Sequence, residues 1–280
     1  MDMDTPKNTA RTLWSLIEPV HAVTYFAPES HAAFEAAGLR GFWRGYFAGR
    51  AAPLGPVGQG PVVAAFFSFA PTMVTRAVPS VWDLVSPADA LALRRTGARA
   101  ALCRLLTGLE AETARAVELL TPYAGSLDLA GRPLAAANAE LPWPDDPVDR
   151  LWHCATLLRE HRGDGHVAAL VAAGLDGCEI LALRAGIDLP RSELQPYRGW
   201  SDDQWAAACQ RLTGRGLLTP DGTATDAGRA VHRAVEAATD GAAARMEATD
   251  ELLTTLTPLA RACAADLRFP NPIGLPEVRR

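Results

Sequence analysis

The element order is clearest in the stretch Arg211-Leu-Thr-Gly-Arg-Gly-Leu-Leu-Thr-Pro-Asp-Gly-Thr-Ala-Thr-Asp-Ala-Gly-Arg-Ala230. Its centre, Pro220-Asp-Gly222, predicts a tight turn, because proline presets φ and glycine accepts a positive φ. The residues on either side, 214–219 and 223–225, predict two short strands. A helix ends at Thr213, before the first strand, and a long helix begins at Asp226, after the second. The stretch therefore predicts a two-stranded wing between two helices.

The residues before the wing predict three helices. The first two cover Cys178–Ala185 and Pro190–Gln195. The third begins after Ser201, whose side chain is a good N-cap, and Asp202 and Asp203 suit the positive end of the helix dipole. The order helix, helix, helix, wing, helix is that of a winged-helix domain.

The remaining sequence predicts further helices, so we expect a mostly α fold. An N-terminal multi-helix domain is predicted over residues 1–147 and a winged-helix domain over 148–241. A C-terminal helix and tail over 242–280 would cover either the N-terminal half or a second subunit. The predicted helices outside the winged-helix order are Thr12–Tyr25, Ser30–Leu39, Val62–Phe69, Pro71–Ala77, Pro87–Leu106, Glu110–Leu120, Arg132–Ala139, Val148–His161, 166–175 and 242–267.

Three stretches carry a family resemblance. They are Glu18-Pro-Val-His-Ala-Val-Thr-Tyr-Phe26, Gly41-Phe-Trp-Arg-Gly-Tyr-Phe-Ala-Gly-Arg-Ala-Ala-Pro-Leu-Gly55, and the segment from Leu151-Trp-His to Glu160-His-Arg-Gly-Asp-Gly-His166. Across them the chain resembles an actinobacterial family of helix-turn-helix proteins over nearly its whole length. The resemblance implies a winged-helix fold and attaches no activity. The wing stretch is also similar to the third helix and wing of MarR-type regulators, which bears on fold more than on function.

Composition excludes several classes of protein. The chain has 280 residues, 49% of them hydrophobic, and a formal net charge of -5, so it is neither disordered nor an evident nucleic-acid binder. Its most apolar run, Val62–Ala70, is too short to span a bilayer, and the N-terminus does not read as a signal peptide. Five widely spaced cysteines suit a reduced compartment. We therefore expect a cytoplasmic protein without a membrane partner.

Positive charge is concentrated away from the predicted winged helix. The segment Arg40–Arg104 carries eight arginines and two aspartates, whereas residues 167–240 carry seven arginines and ten acidic residues. Phosphate contacts supply most of the affinity of a DNA-binding domain, so the acidic first turn of the third helix argues against DNA binding. If DNA is bound, the candidates for phosphate contact are Arg198, Arg211 and Arg215.

The basic segment coincides with many aromatic residues. Arginine beside an aromatic ring suits a small-molecule ligand that is anionic or aromatic. The candidate ligand-binding residues are Trp43, Arg44, Tyr46 and Arg50. The glycine- and proline-rich segment 49–60 predicts a long loop, and a binding role would explain its length. The alternative, that the rings are core residues and the arginines are solvated, stays open.

The segment 160–166 is the densest cluster of chemically active residues. Two glycines are expected to break the helix there and to bring His161, Asp164 and His166 together. Imidazole and carboxylate groups suit a divalent metal site or an acid–base pair. His21 and Tyr25 lie on one face of the first helix and would join these residues if the two helices pack together. The purely structural alternative makes Asp164 a helix cap.

Three functional hypotheses follow. The first is a small-molecule-binding protein of specialised metabolism, with catalysis left open and a His/carboxylate site between the two domains. The second is a ligand-responsive, MarR-like transcriptional regulator that binds DNA as a homodimer. The third is a winged-helix DNA-repair protein that uses the basic segment Arg40–Arg104. The acidic first turn of the third helix favours the first hypothesis.

Overall fold

The structure is a computed structural model, and it describes residues 9–244, 248–267 and 271. Helices dominate this part of the chain. No single described helix is long and apolar enough to cross a membrane, and one bent pair of helices, 147–172 with 177–185, would meet that requirement by length and composition only. In chain order the helices are α1 (Thr9–Phe26), α2 (Pro28–Ala36), α3 (Phe42–Ala51), α4 (Gln59–Phe66), α5 (Pro71–Thr75), α6 (Pro87–Leu105), α7 (Glu110–Gly125), α8 (Pro133–Ala139), α9 (Pro147–Ala172), α10 (Gly177–Ala185), α11 (Arg191–Leu194), α12 (Asp202–Gly214), α13 (Asp226–Ala243) and α14 (Asp250–Cys263).

Capping residues fix several helix starts. The Ser86 hydroxyl accepts a hydrogen bond from the backbone N–H of Asp89 at the start of α6. Capping boxes start α10 and α12, where Asp176 pairs with Glu179 and Ser201 pairs with Gln204. Each box satisfies two backbone donors that the helix would otherwise leave without a partner. The sequence-based starts of α6 and α12 are confirmed.

The predicted break in the segment 160–166 is wrong, because α9 runs through it without interruption. The helix packs against α1, α7, α8 and α13, and this burial offsets the cost of about 1 kcal/mol that a glycine adds to a helix interior. Gly165 serves close packing. A Cβ atom there would lie 2.6 Å from Nη1 of Arg132. Nη1 of Arg132 donates to the carbonyl of His161, and Nη2 donates to the carbonyl of Ala242.

Buried apolar residues form three cores. The first joins α1, α6, α7, α9 and α14, so α14 packs on the N-terminal half of its own chain. The second lies among α2–α6, and the third lies among α10–α13, which we call the helix-turn-helix part. Helix α9 contributes Leu151 to the first core and Leu170 to the third. One helix therefore ties the two halves together, and the domain limits stay a prediction.

The predicted two-stranded wing is not confirmed. Between α12 and α13 the chain makes a hairpin with one antiparallel bridge, Leu218 to Ala224, and the described residues contain no extended strand. Two backbone bonds flank this bridge: the N–H of Thr219 donates to the carbonyl of Thr223 at 2.9 Å, and the N–H of Thr225 donates to the carbonyl of Leu217 at 3.1 Å. The N–H of Ala224 points away from Leu218 and donates to the carbonyl of Gly186 at 3.0 Å, so the hairpin leans against the end of α10.

The predicted long loop over 49–60 is also wrong. Helix α3 extends through Arg50 to Ala51, a 3-10 turn covers Ala52–Leu54, and α4 begins at Gln59. Proline is tolerated in the first turn of a helix, which is where Pro53 lies. Only the residues 55–58 remain irregular, and this short connection leaves little of the proposed binding loop.

Two glycine substitutions, one in α9 and one in α6, test the continuity of α9. Replacing Gly163 with alanine should raise the free energy of unfolding by about 0.5–1 kcal/mol, because a Cβ there meets nothing closer than 3.7 Å and alanine favours a helix. Gly97→Ala is the contrast: its Cβ would lie 2.6 Å from Cα of Ser30, and we expect a loss of about 1–3 kcal/mol. Chemical denaturation measures both. A destabilising Gly163→Ala substitution would contradict an unbroken α9.

Candidate functional site

His21 lies in a buried chain of hydrogen bonds between α1 and α9. Its Nδ1 is 3.0 Å from Oγ1 of Thr156, and its Nε2 is 3.0 Å from the hydroxyl of Tyr25. The Thr156 hydroxyl donates its only proton to the carbonyl of Trp152, at 2.8 Å. Nδ1 of His21 must therefore carry the proton, and Nε2 accepts from Tyr25. Helix α1 therefore packs on α9, which is the condition under which His21 and Tyr25 could lie near the residues of α9.

Burial keeps this pair uncharged. The side chain of His21 is almost fully buried, and burial together with the charge of Arg159 holds its pKa well below the ordinary value. Burial likewise raises the pKa of Tyr25 above its ordinary value. A neutral imidazole that accepts from a neutral phenol is suited to positioning Tyr25. The space beside Tyr25 has a volume of about 40 Å³, room for little more than a water molecule.

Glu160 is the ionic centre of the interior. Nε and Nη2 of Arg50 donate to its two carboxylate oxygens at 3.0 and 3.1 Å, and Arg159 donates at 2.8 Å. Burial opposes ionisation, but the two guanidinium groups outweigh it and hold the pKa of Glu160 well below its ordinary value. Arg159 also reaches Glu18, at 3.4 Å. The cluster joins α1, α3 and α9.

Two of the four candidate ligand-binding residues join this network. The Tyr46 hydroxyl accepts from Arg50 at 3.2 Å, and the Arg50 guanidinium lies 4.2 Å from the centre of the Phe66 ring. Trp43 packs against the second core. Arg44 is exposed and lies apart from the network. The predicted group is therefore split between a buried cluster and the surface.

The structure does not bring His161, Asp164 and His166 together. His161 contacts the carbonyl of Asp128 at 3.1 Å, Asp164 accepts from the backbone N–H of Ala135 at 2.9 Å, and His166 contacts Thr239 at 2.9 Å. On a continuous helix His166 projects well away from His161 and Asp164, and these two, although three residues apart, have different partners. Within residues 9–244, 248–267 and 271, no group of three His, Cys, Asp or Glu residues could hold a metal ion.

Burial shifts the pKa values of two of these groups. Burial raises the pKa of Asp164 to about 6, although the N–H of Ala135 works against the shift. Burial lowers the pKa of His166 to about 4, although nearby Glu236 works against it. Asp164 instead accepts from a backbone N–H at the start of α8, so the structural alternative, in which it caps a following helix that begins at His166, is also wrong.

A cleft of about 400 Å³ lies between the N-terminal helices and the helix-turn-helix part. We call it the interdomain cleft. Residues of α1, α9, α10 and α13 line it, among them Trp14, Glu18, Arg159, His166, Arg184 and Arg198. The sequence analysis missed Arg159 and Arg184 as site residues. Each lies in an ordinary helical pattern, so only the packing of the helices brings them to one cavity.

The three candidate DNA-contacting arginines have different surroundings. Arg198 lines the interdomain cleft and lies 4.7 Å from the centre of the Phe69 ring. Arg211 pairs with Asp176 and Glu179, at 2.5 and 2.8 Å. Arg215 donates to the carbonyl of Gly174 at 2.8 Å. The side chains of Arg211 and Arg215 are 47% and 39% exposed, so a partner can reach them. Arg198 faces the interdomain cleft instead.

The outer face of the helix-turn-helix part is acidic or neutral. On α12 the exposed residues include Asp202, Asp203, Ala206 and Gln210. The tip of the hairpin carries Asp221, whose pKa is lowered by hydrogen bonds from the hydroxyls of Thr219 and Thr223. The described part of the chain therefore presents little positive charge where a third helix would meet DNA.

The basic segment Arg40–Arg104 does not form one patch. Arg50 and Arg94 are buried, and Arg94 donates to the carbonyl of Gly49 and to the side chain of Asn138. Arg99 pairs with Asp146, and Arg104 with Glu29. Ion pairs and hydrogen bonds therefore hold Arg50, Arg94, Arg99 and Arg104, half of the eight arginines, so the segment does not form the basic cleft that the DNA-repair hypothesis needs.

Comparison with known proteins gives one match. The model of a helix-turn-helix family matches residues 10–270, nearly all of the described chain. No curated protein and no solved structure matches the chain. The match covers the N-terminal helices as well as α10–α13.

Replacing Glu160 with glutamine tests the ionic centre. The substitution keeps the shape and removes the charge, which leaves Arg50 and Arg159 buried beside a neutral amide. We expect the free energy of unfolding to fall by about 3–5 kcal/mol. Glu118→Gln is the matched control: Glu118 pairs with Arg115 at the surface, and its loss should leave stability unchanged. Equal effects of the two variants would contradict the assignment.

Asp164 should make stability depend on pH. Its pKa is raised to about 6 in the folded chain, so the native state binds the proton more strongly, and stability falls as pH rises from about 4 to about 6. Asp164→Asn removes this dependence. Its stability relative to the parent should increase by about 1–2 kcal/mol between pH 4 and pH 7, as thermal unfolding would measure. A difference in stability between Asp164→Asn and the parent that does not change with pH would refute the burial argument.

Proposed function

Because the chain belongs to the helix-turn-helix family, we propose that it is a DNA-binding regulator that responds to a small molecule. The observation that carries the proposal is the match of the family model to the N-terminal helices and the helix-turn-helix part together. A regulator needs both a DNA-binding element and a second region that senses a signal. Helix α12 is the candidate for the first, and the interdomain cleft for the second.

The exposed face of α12 suits close approach to a DNA groove. In helix-turn-helix proteins the N-terminal part of the second helix of the motif contacts base edges in the major groove. Ala206 and Gln210 lie one turn apart on the exposed side of α12. The small alanine permits close contact, and a glutamine amide can pair with the edge of adenine. Phosphate contacts would come from Arg211, in the last turn of α12, and from Arg215, which follows its last residue.

Charge limits the affinity of this surface. Asp202 and Asp203 would face phosphate groups, and Arg211 would have to leave Asp176 in order to reach them. A single copy therefore offers few phosphate contacts, and we expect weak binding that a homodimer on two half-sites would strengthen. This expectation differs from that for a strongly basic domain, whose binding falls steeply with salt.

A small-molecule-binding protein without a DNA partner is the second candidate, and the interdomain cleft favours it. Its volume lies in the range of known ligand sites. Binding is the better-supported form of this candidate. Turnover at His21 and Tyr25 would need a substrate beside Tyr25, which adjoins a space of only about 40 Å³, and beside His21, which is buried.

Reversing one charge on α12 tests the DNA proposal. A duplex is first selected from a random pool with the full chain, and its affinity is measured by fluorescence anisotropy between 50 and 200 mM salt. Asp203→Lys should tighten binding and steepen the salt dependence by about one phosphate contact. Glu35→Lys makes the same charge change on α2, and it should alter binding much less.

Two outcomes would contradict the proposal. One is the absence of salt-dependent binding to any selected duplex. The other is an equal gain from Asp203→Lys and Glu35→Lys, since that would show a general charge effect without a docking surface on α12.

A further inference from the structure

A second cavity lies between α6, α9 and the connection that precedes α9, and its volume is about 250 Å³. We call it the α6–α9 groove. No described residue lines both this groove and the interdomain cleft. A dry apolar cavity of about 150 Å³ is enough to hold benzene, so the groove has room for a small organic molecule.

Most of the lining of the groove is apolar. Helix α6 contributes Leu91, the connection contributes Leu141, Pro142 and Pro144, and α9 contributes the indole ring of Trp152. Proline fixes φ, so the two prolines restrict the shape of the connection before any ligand enters. Apolar surface that leaves water here would stabilise a complex, and the groove therefore favours a ligand with an apolar body.

Arg94 brings a buried positive charge to this groove. Its Nη1 donates to the carbonyl of Gly49 at 3.2 Å and its Nη2 to Oδ1 of Asn138 at 3.1 Å, and both acceptors are neutral. Its Nε has no hydrogen-bond partner, and no carboxylate among the described residues forms an ion pair with the guanidinium. Burial lowers the pKa of Arg94 to about 10, although Tyr25 and Glu160 work against the shift. Arg94 therefore stays charged at pH 7.

The other polar residues of the lining do not cancel this charge. Arg95 is exposed, and none of the described residues forms an ion pair with it. The Asp149 carboxylate also lines the groove, but Arg99 holds it at 3.2 Å. Burial and the charge of Arg94 lower the pKa of His153 to about 4, so this histidine is neutral near pH 7. The lining thus includes two arginines whose charge no described carboxylate pairs.

We propose that the α6–α9 groove binds a small carboxylate with an apolar body. The body would pack on the apolar lining, and the carboxylate would accept from Arg95, whose guanidinium fork can donate two parallel hydrogen bonds. The buried charge of Arg94 would attract the same carboxylate without direct contact, because charges interact over several ångströms where water is excluded. This site goes beyond the function proposed above and does not depend on it, since the two cavities are separate.

The test uses the full chain at pH 7 in the absence of DNA. Benzoate and hexanoate are titrated separately by calorimetry, with sodium chloride holding the ionic strength constant. We expect saturable binding with a Kd of about 1 mM for at least one of them. The uncharged analogues, benzamide and hexanamide, should bind about tenfold more weakly than their carboxylates. Binding of benzoate alone would indicate a flat ligand, and binding of hexanoate alone a flexible one; either result supports the site.

Substitutions at exposed positions locate the binding. Arg95→Gln should weaken it about threefold, because an exposed charge pair contributes about that much. Arg233→Gln, which removes an exposed charge from α13, is the matched control. Ala92 is exposed and lines the groove. Ala92→Glu should therefore weaken binding about threefold relative to Ala92→Gln, which has the same size and no charge.

The proposal is overturned if neither carboxylate binds more strongly than its amide. It is also overturned if Arg95→Gln and Arg233→Gln change the affinity equally, or if Ala92→Glu and Ala92→Gln do. Carboxylate binding by a protein without DNA affinity would support the groove and contradict only the DNA proposal. A protein that binds the selected duplex and neither carboxylate would contradict only the groove.

Discussion

The arrangement of the whole chain depends on the buried carboxylate of Glu160. It accepts hydrogen bonds from Arg50 on α3 and from its neighbour Arg159 on α9, and Arg159 continues to Glu18 on α1. A buried charge is tolerated only when it is paired and hydrogen-bonded, so the three helices must keep their relative positions. This constraint places Arg159 at the edge of the interdomain cleft and places His21 and Tyr25 in the interior behind it.

Charged groups elsewhere in the molecule are also held by specific partners. The net charge of -5 suggests an acidic protein, but most of its arginines are held by specific carboxylates, carbonyls or rings. Arg211 and Arg99 illustrate this at opposite ends of the fold. The interdomain cleft is lined by Arg159, Arg184 and Arg198, which come from three segments of the chain.

Much of the fold could be predicted from the sequence, and the site could not. Local signals fix the start of α6 at Ser86 and of α12 at Ser201, because an N-cap is a property of a few neighbouring residues. The continuity of α9 through Gly163 and Gly165 depends on helices that are distant in sequence, and glycine alone predicts a break. The same holds for the hairpin, whose outer edge bonds through the N–H of Ala224 to Gly186, a residue distant in sequence.

The functional residues divide in the same way, into those placed by neighbouring residues and those placed by packing between distant segments. The pairing of His21 with Tyr25 was predictable, since residues four apart share one face of a helix. The separation of His161 from His166 was not, because it follows from an unbroken α9. Arg159, Arg184 and Arg198 carry no motif and have meaning only through the cleft that they share.

Hydrogen exchange with the selected duplex tests the central claim, that this helix-turn-helix protein binds DNA through α12, most directly. The account predicts slower amide exchange in peptides that cover Asp202–Gly214 when the duplex is present, with little change in α2 and α14. Protection confined to Arg40–Arg104, or no protection anywhere, would contradict it.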